Sequence, residues 1–299
     1  MRRYPILRAT ALIVVSACCF GSLTTLTLLV MRQGLPLLDV VFWRFFLAAV
    51  ILFAMTLRTQ RRTSFRKAAW RLVAIGGIAQ AAISYLSFKA LDYLPVGELA
   101  FLFYTYPAWV AGISAARGRE RLTGPRLVAL AMAMAGIAVM VGTPAKSTSN
   151  IGVTMALGTA FLYALYLPMI NDAQGQLSPA LSSFYLISGI AASFLVVSLA
   201  ARQFAIPSGI NVWAILILLA VVGTVMAFGT LLAGLRVLGP VRTSIISTIE
   251  PFFTAMLGAV ILDQDLTFSI IVGGALIAVA VIVLEYSNEP VGSVSSAVT

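Results

Sequence analysis

Of 299 residues, 61% are hydrophobic and only 10% charged, with a mean hydropathy of +1.01, whereas a soluble domain carries about 25% charge. A bilayer core of about 30 Å takes roughly 20 residues per helix, so ten spans occupy most of the chain. That excludes a large ectodomain, a nucleotide-binding domain or an anchored soluble enzyme; the spans themselves carry the function.

Apolar runs are expected at about 9–30, 36–57, 71–91, 95–116, 124–142, 151–170, 178–201, 213–235, 241–262 and 267–286. The first follows Arg2, Arg3 and Arg8 but is too long for the 7–15-residue core of a cleavable signal, and reads as a span. Turn residues separate the runs: Gly34 and Pro36, Pro95, Gly118, Gly124 and Pro125, Pro144, Ser178 and Pro179, Pro207 and Gly209, Gly239 and Pro240. The longest connection, Arg58 to Arg71, is basic.

Twenty basic and ten acidic residues give a net charge of +10. The charges sit in short connections, where Arg and Lys mark cytoplasmic loops rather than a nucleic-acid-binding face. With the N-terminus inside, fifteen basic residues fall on the cytoplasmic side, among them Arg61, Arg62, Arg66, Lys67, Arg117, Arg119, Arg121, Arg126, Arg236 and Arg242. Four fall outside, Arg32, Lys89, Lys146 and Arg202, and Arg44 is left within a span. This split predicts an even number of spans with both termini cytoplasmic. The absence of His excludes imidazole metal sites and histidine-based nucleophile arrangements. Neighbouring Cys18 and Cys19 would close no loop and read as buried small residues. No cofactor or metal is expected.

Shifting the chain by about 144 residues lays the fourth and fifth runs on the ninth and tenth. Pro107 meets Pro251, Leu91 meets Leu235 and Leu122 meets Leu266; at an offset of 143, Pro36 meets Pro179. The chain therefore reads as two five-span repeats, 1–143 and 150–287, followed by a flexible tail, 288–299. Five is odd, so the second repeat enters the membrane from the opposite side. Such inverted repeats underlie alternating access in secondary transporters, with the substrate near the bilayer midplane. The fold expected is thus an all-α integral membrane protein of ten transmembrane helices in two inverted repeats.

Two corresponding stretches carry a resemblance to a known family. The first runs from Ala90 to Pro107 (Ala-Leu-Asp-Tyr-Leu-Pro, then Tyr-Thr-Tyr-Pro), with Glu120-Arg121-Leu122 beyond it; the second runs from Gly234 to Pro251 and ends Ile-Glu-Pro. Over residues 9 to 286 the chain resembles the drug/metabolite transporter superfamily, in its branch of paired EamA-type repeats, and most of all exporters of aromatic amino acids. In that family an acidic residue precedes the fifth and tenth spans. Glu120 fits, but Gln264 stands at the second position, flanked by Asp263 and Asp265. The resemblance implies outward movement of aromatic and other mostly neutral amino acids across a bacterial inner membrane, by a monomer or weak homodimer.

Pro107 and Pro251 lie near mid-membrane and are expected to act as paired hinges, freeing the carbonyls of Phe103 and Ser247; ordinary kinks are the alternative. Glu250 stands at mid-depth with Tyr106 as its repeat mate. A carboxylate at a helix centre costs roughly 2.5–3.5 kcal/mol, so it should face protein or water. It would bind a substrate ammonium, carry a coupling proton, or serve as a protonated structural group. Gln80, Ser84 and Tyr85, Tyr104 and Tyr106, Tyr163 and Tyr166, and Ser247 and Thr248 are candidates for a pocket lining suited to an amino acid with a large side chain. Plain helix packing is the other reading. Arg44 has three possible partners: a substrate carboxylate, Asp39, or the outer interface reached by snorkelling, with a structural role favoured. Glu98 is expected near the outer surface as a helix-terminus charge. Small residues at four-residue spacing, Ala131 and Ala135, Gly274 and Ala278, predict close packing of the fifth and tenth spans, as scaffold or dimer contact.

An intramembrane enzyme would need a nucleophile and base, an aspartate pair or a metal; Asp39, Asp92, Asp172, Asp263 and Asp265 all fall at span ends or in loops. A channel would want a ring built by oligomerisation. Within transporters, a multidrug or other small-metabolite exporter of the same fold is the alternative. Apolar walls with few fixed charges predict broad selectivity.

Overall fold

The computed structural model describes residues 3–60, 66–118, 122–142, 149–201 and 204–286. Glu120, Arg121, Lys146, Arg202 and the tail 288–299 lie outside them. Nine helices among the described residues are long and apolar enough to cross a membrane, and a shorter apolar one, Glu250–Leu262, joins them. The first span is Arg3–Met31, the second Leu37–Gln60 and the third Arg66–Ala90. Val96–Ala116, Gly124–Val141, Asn150–Gln174 and Pro179–Ala200 are the fourth to seventh. The next helix, Ile210–Ser247, is 38 residues long, far more than a bilayer needs. It turns at Gly239, whose φ of 76° and ψ of 170° are non-helical. A left-handed φ of this kind suits glycine, which has no Cβ to clash, and Pro240 then starts the next rod without a backbone N–H to satisfy. We therefore count 210–238 as the eighth span, 240–262 as the ninth and Phe268–Tyr286 as the tenth.

The helices exceed the apolar runs where polar residues still have helical neighbours. The first begins at Arg3, the third at Arg66, and the sixth continues through Asn171 and Asp172 to Gln174. Hydropathy marks the part that lipid can tolerate, whereas the hydrogen-bond ladder ends where a turn residue stops it; Gly175, at φ 50°, stops the sixth.

The packing of one half corresponds to that of the other. The fifth span lies along the tenth, the second along the seventh, the first against the eighth and ninth, and the sixth against the third and fourth. Exchanging the halves leaves this set of partners unchanged. Close approach is purchased with glycine: a Cβ on Gly136 would stand 2.7 Å from the Gly273 carbonyl oxygen, and one on Gly189 would stand 2.1 Å from that of Val73. The fifth span's contact stripe is Ala129, Ala133 and Gly136, all buried, whereas Ala131 and Ala135 face outward. The expected small-residue stripe was thus one helical face away from the real one. Gly274 of the expected pair packs on Phe252 of the ninth span instead.

Both halves also contain a π-helical segment at a matching place, Ile75–Ala79 in the third span and Val221–Met226 in the eighth. A π turn leaves a carbonyl without its usual partner, and a serine from a neighbouring span meets each one. The Ser193 hydroxyl donates to the Gly77 carbonyl at 2.8 Å, and the Ser16 hydroxyl donates to that of Ala227 at 2.8 Å.

Several charges expected at the periphery are internal. Arg242 is 2% exposed, and its Nη2 donates to the Leu284 carbonyl of the tenth span at 2.6 Å. Arg236, by contrast, stays exposed while it donates to the Gln174 side chain at 3.2 Å and to the Leu177 carbonyl, closing the end of the sixth span. Arg242 thus meets a carbonyl left open at a helix end, a polar and a dipolar match, and Arg236 ties down the turn that follows one. Glu98 lies in the first turn of its helix but is buried. Asp39 is fully buried and accepts from the Ala205 backbone N–H at 3.1 Å, while the Trp43 indole donates to the Ala205 carbonyl at 3.0 Å. Asp39 therefore anchors the segment before the eighth span rather than pairing with Arg44.

Candidate functional site

The fourth and ninth spans are each two helices in series. Val96–Phe103 stops, Tyr104 and Thr105 form a turn, and Tyr106–Ala116 begins with Pro107 in its first turn. The ninth repeats this: helix ends at Ser247, Thr248 and Ile249 form the turn, and Glu250–Leu262 begins with Pro251 in its first turn. The two prolines, read from the sequence as paired hinges with ordinary kinks as the alternative, each stand in the first turn of a new helix, where the missing N–H costs nothing. Threonine hydroxyls close both breaks, Thr105 onto the Leu102 carbonyl and Thr248 onto the Ile245 carbonyl, each at 2.6 Å. Two helix N-termini, with their positive dipole ends, thus lie midway along spanning segments.

Around these breaks the structure gathers a block of aromatic rings. Tyr106 meets Tyr163 of the sixth span edge-on, with centroids 4.8 Å apart at 79°. Phe103 contacts Tyr163 at 5.3 Å and both Tyr104 and Tyr106 at 5.4 Å. Tyr166 extends the block from Tyr163 at 5.8 Å. The Tyr104 hydroxyl is within hydrogen-bonding reach of the Glu250 carboxylate, and the Ser247 side chain reaches the Tyr106 hydroxyl. The Tyr106 hydroxyl also approaches the Ser244 carbonyl at 3.5 Å. Glu250, at the start of its helix, is half-buried. Tyr166 is 2% exposed, and no group among the described residues bonds its hydroxyl.

Tyr104, Tyr106, Tyr163, Tyr166, Ser247 and Glu250 therefore come together. Thr248 does not join them, since its side chain is fully buried and spent on the Ile245 carbonyl. The third-span candidates stand apart. Gln80 donates to Ser84 at 3.4 Å within their own helix. Ser84 and Tyr85 line a different cavity of about 310 Å³, between the second, third and seventh spans, with Phe88, Lys89, Asp92, Ser193 and Phe194. Tyr85 is 62% exposed, so it belongs to the mouth of that cleft rather than to a mid-depth pocket. The sequence pointed to Phe103 only for its backbone carbonyl and not for its ring, which contacts three of the four tyrosines; its place directly before Tyr-Thr-Tyr-Pro is the signal that could have found it.

The arrangement offers one acidic oxygen pair, several phenol hydroxyls and a wall of ring faces. It suits binding of an amphiphile with a cationic or donor group and a bulky apolar part. Comparison with known proteins decides the class. Residues 7–142 and again 150–286 match the EamA-like transporter family. The chain belongs to that family. An uncharacterized transporter of Archaeoglobus fulgidus is 26% identical over 276 residues, which cover 91% of this chain and 94% of that one. The uncharacterized transporter YcbK of Bacillus subtilis is 23% identical over 231 residues, 75% of this chain and 74% of the other. A crystal structure with 18% identity superposes with a TM-score of 0.77, covering 92% of this chain and 96% of its own, which shows a shared fold. The protein is thus a multi-pass membrane transporter and not an enzyme, and its family implies small-molecule cargo.

Proposed function

We propose that this transporter exports amino acids, aromatic and other mostly neutral ones, across a bacterial inner membrane by alternating access. The observation that carries this reading is the block of Phe103, Tyr104, Tyr106, Tyr163 and Tyr166 around Glu250, built where two spans are interrupted. The rings would receive a large side chain, and the carboxylate would meet an ammonium or a coupling proton. Ser84 and Tyr85 would meet the cargo outside this block, at the separate cleft, with Gln80 acting through its hydrogen bond to Ser84. Overall likeness of the sequence to the aromatic amino acid exporter YddG points the same way.

In this reading the two family segments are five-span repeats, 1–143 and 150–287, of opposite orientation, with both termini cytoplasmic. What supports it is the exchangeable set of helix partners, the paired π turns and the paired breaks, together with the excess of Arg and Lys on one side. Pro107 and Pro251 are the hinges about which the half-helices swing. The protein works as a monomer or weak homodimer.

Flux of radiolabelled phenylalanine, threonine and a lipophilic cation into liposomes holding the purified protein tests the proposal. Saturable movement of the amino acids supports it. Movement of the cation alone would replace it with multidrug export.

A further inference from the structure

The third and seventh spans touch backbone to backbone over one stretch and part beyond it. A Cβ on Gly76 would stand 2.2 Å from the Leu186 carbonyl oxygen, and the Ser193 hydroxyl holds the Gly77 carbonyl. From Gln80 to Ala90 the third span packs on the sixth rather than the seventh, and the cleft of about 310 Å³ opens in the gap. Leu38 of the second span and Val197 of the seventh also border it, each in the terminal turn of its helix. The cleft therefore belongs to one end of the bundle.

A pair of opposite charges on its wall distinguishes this cleft from a gap between apolar helices. Lys89 Nζ and Asp92 Oδ2 stand 3.1 Å apart, and both residues line the cavity. Their side chains are 49% and 58% exposed, so a solute can reach them. A lysine ammonium has three donors and a carboxylate several lone pairs, so one mutual contact leaves both poles with capacity for a partner. The rings of Tyr85, Phe88 and Phe194 and the Ser84 residue border the same space. About 144 residues further on, at the repeat-equivalent places, stand Ala233 and Arg236, so this pair of charges is a feature of one half only.

We propose that the cleft is a second amino acid site, apart from the block around Glu250, in which Lys89 holds the carboxylate of an α-amino acid, Asp92 holds its ammonium and the rings receive its side chain. The assignment rests on the amino acid reading above. Both poles of the zwitterion are attached to the α-carbon, so a site must present its countercharges side by side, as Lys89 and Asp92 do. Charge-assisted hydrogen bonds then select the complete zwitterion, and ring faces suit a large side chain. Water screens a half-exposed pair, so binding is weak, as befits a place where cargo leaves; in the proposed orientation this end faces outward. A phosphatidylethanolamine headgroup offers the same pairing of ammonium with anion, and the experiment separates the two.

The test uses the full chain with Cys18 and Cys19 replaced by alanine and with Val197→Cys in the cleft lining, held in nanodiscs of phosphatidylglycerol. Modification by a thiol reagent is followed against phenylalanine, phenylalanine amide, which lacks the carboxylate, and hydrocinnamate, which lacks the ammonium. Phenylalanine should protect at concentrations about fivefold below either analogue, and Lys89→Gln and Asp92→Asn should each weaken its protection about fivefold, the scale of a solvent-exposed ion pair. Equal protection by phenylalanine and both analogues overturns the assignment, whether or not the two variants fold. Protection that folded Lys89→Gln and Asp92→Asn leave unchanged overturns it too. Protection that appears only when phosphatidylethanolamine is added makes the cleft a lipid site and overturns it as well. Saturable phenylalanine flux without protection of Val197→Cys sinks this site alone, whereas absence of both flux and protection sinks the amino acid reading with it.

Discussion

The breaks in the fourth and ninth spans share a mechanism and differ in chemistry. Each consists of a helix stop, a two-residue turn closed by a threonine hydroxyl, and a proline in the first turn of the next helix. At the corresponding place just before the proline, however, one carries Tyr106 and the other Glu250. The lesson is a division of labour. What the halves share, the interrupted helices and π turns, suits a device with two near-equivalent packings. What they do not share sets what is carried, because a tyrosine wall facing one carboxylate distinguishes the two ends of a substrate.

Removing the asymmetric group should have the largest effect. Glu250→Ala is expected to abolish amino acid flux in liposomes, whereas Glu250→Gln should keep part of the flux and lose its response to an imposed pH gradient. A Gln variant that still follows the gradient would take Glu250 out of coupling. Next, the shared mechanism predicts equal behaviour: Pro107→Ala and Pro251→Ala should each let their helices rejoin and slow turnover several-fold with little change in KM. Unequal losses would break the correspondence of the halves.

Tyr163→Ala, which opens the ring block opposite Tyr106, should cost about tenfold in preference for phenylalanine over threonine, in line with roughly 0.5–1.5 kcal/mol for an aromatic pair beyond its buried area. Equal loss of both substrates and of expression would make Tyr163 a packing residue only. The smallest effects belong to the serines at the π turns. Ser193→Ala and Ser16→Ala should each lower thermal stability by an equivalent of roughly 1 kcal/mol, the cost of a lost buried hydrogen bond, and by similar amounts in both halves.

Much of this fold was legible because lipid imposes a coarse rule on composition. Ten apolar runs, their turn residues and the paired prolines could be read directly, and Gly239 before Pro240 marked the junction inside the 38-residue helix. Helical phase was not legible in uniformly apolar runs. Ala131 and Ala135 look as small as Ala129 and Ala133, and only the contact with Gly273 and Ile277 selects one face. The π turns at Ile75–Ala79 and Val221–Met226 escaped for the same reason, although Gly76-Gly77 and Gly223-Thr224 stand at both. Buried charges misled in the other direction: Arg242 resembles a loop cation until the Leu284 carbonyl is placed against it. At the candidate site, polar and aromatic residues at mid-depth were the useful signal. The split between the Glu250 block and the Tyr85 cleft needed the third dimension.

A substrate site at the block around Glu250 must be reached from each side of the membrane in turn. Accessibility of a single cysteine there tests it most directly. With Cys18 and Cys19 replaced by alanine, Ser247→Cys or Tyr163→Cys would be treated with a membrane-impermeant thiol reagent from one face of the proteoliposome and then from the other. Modification from both faces is expected, with protection by phenylalanine from both. Modification from one face only, or labelling that phenylalanine leaves unchanged, would contradict it.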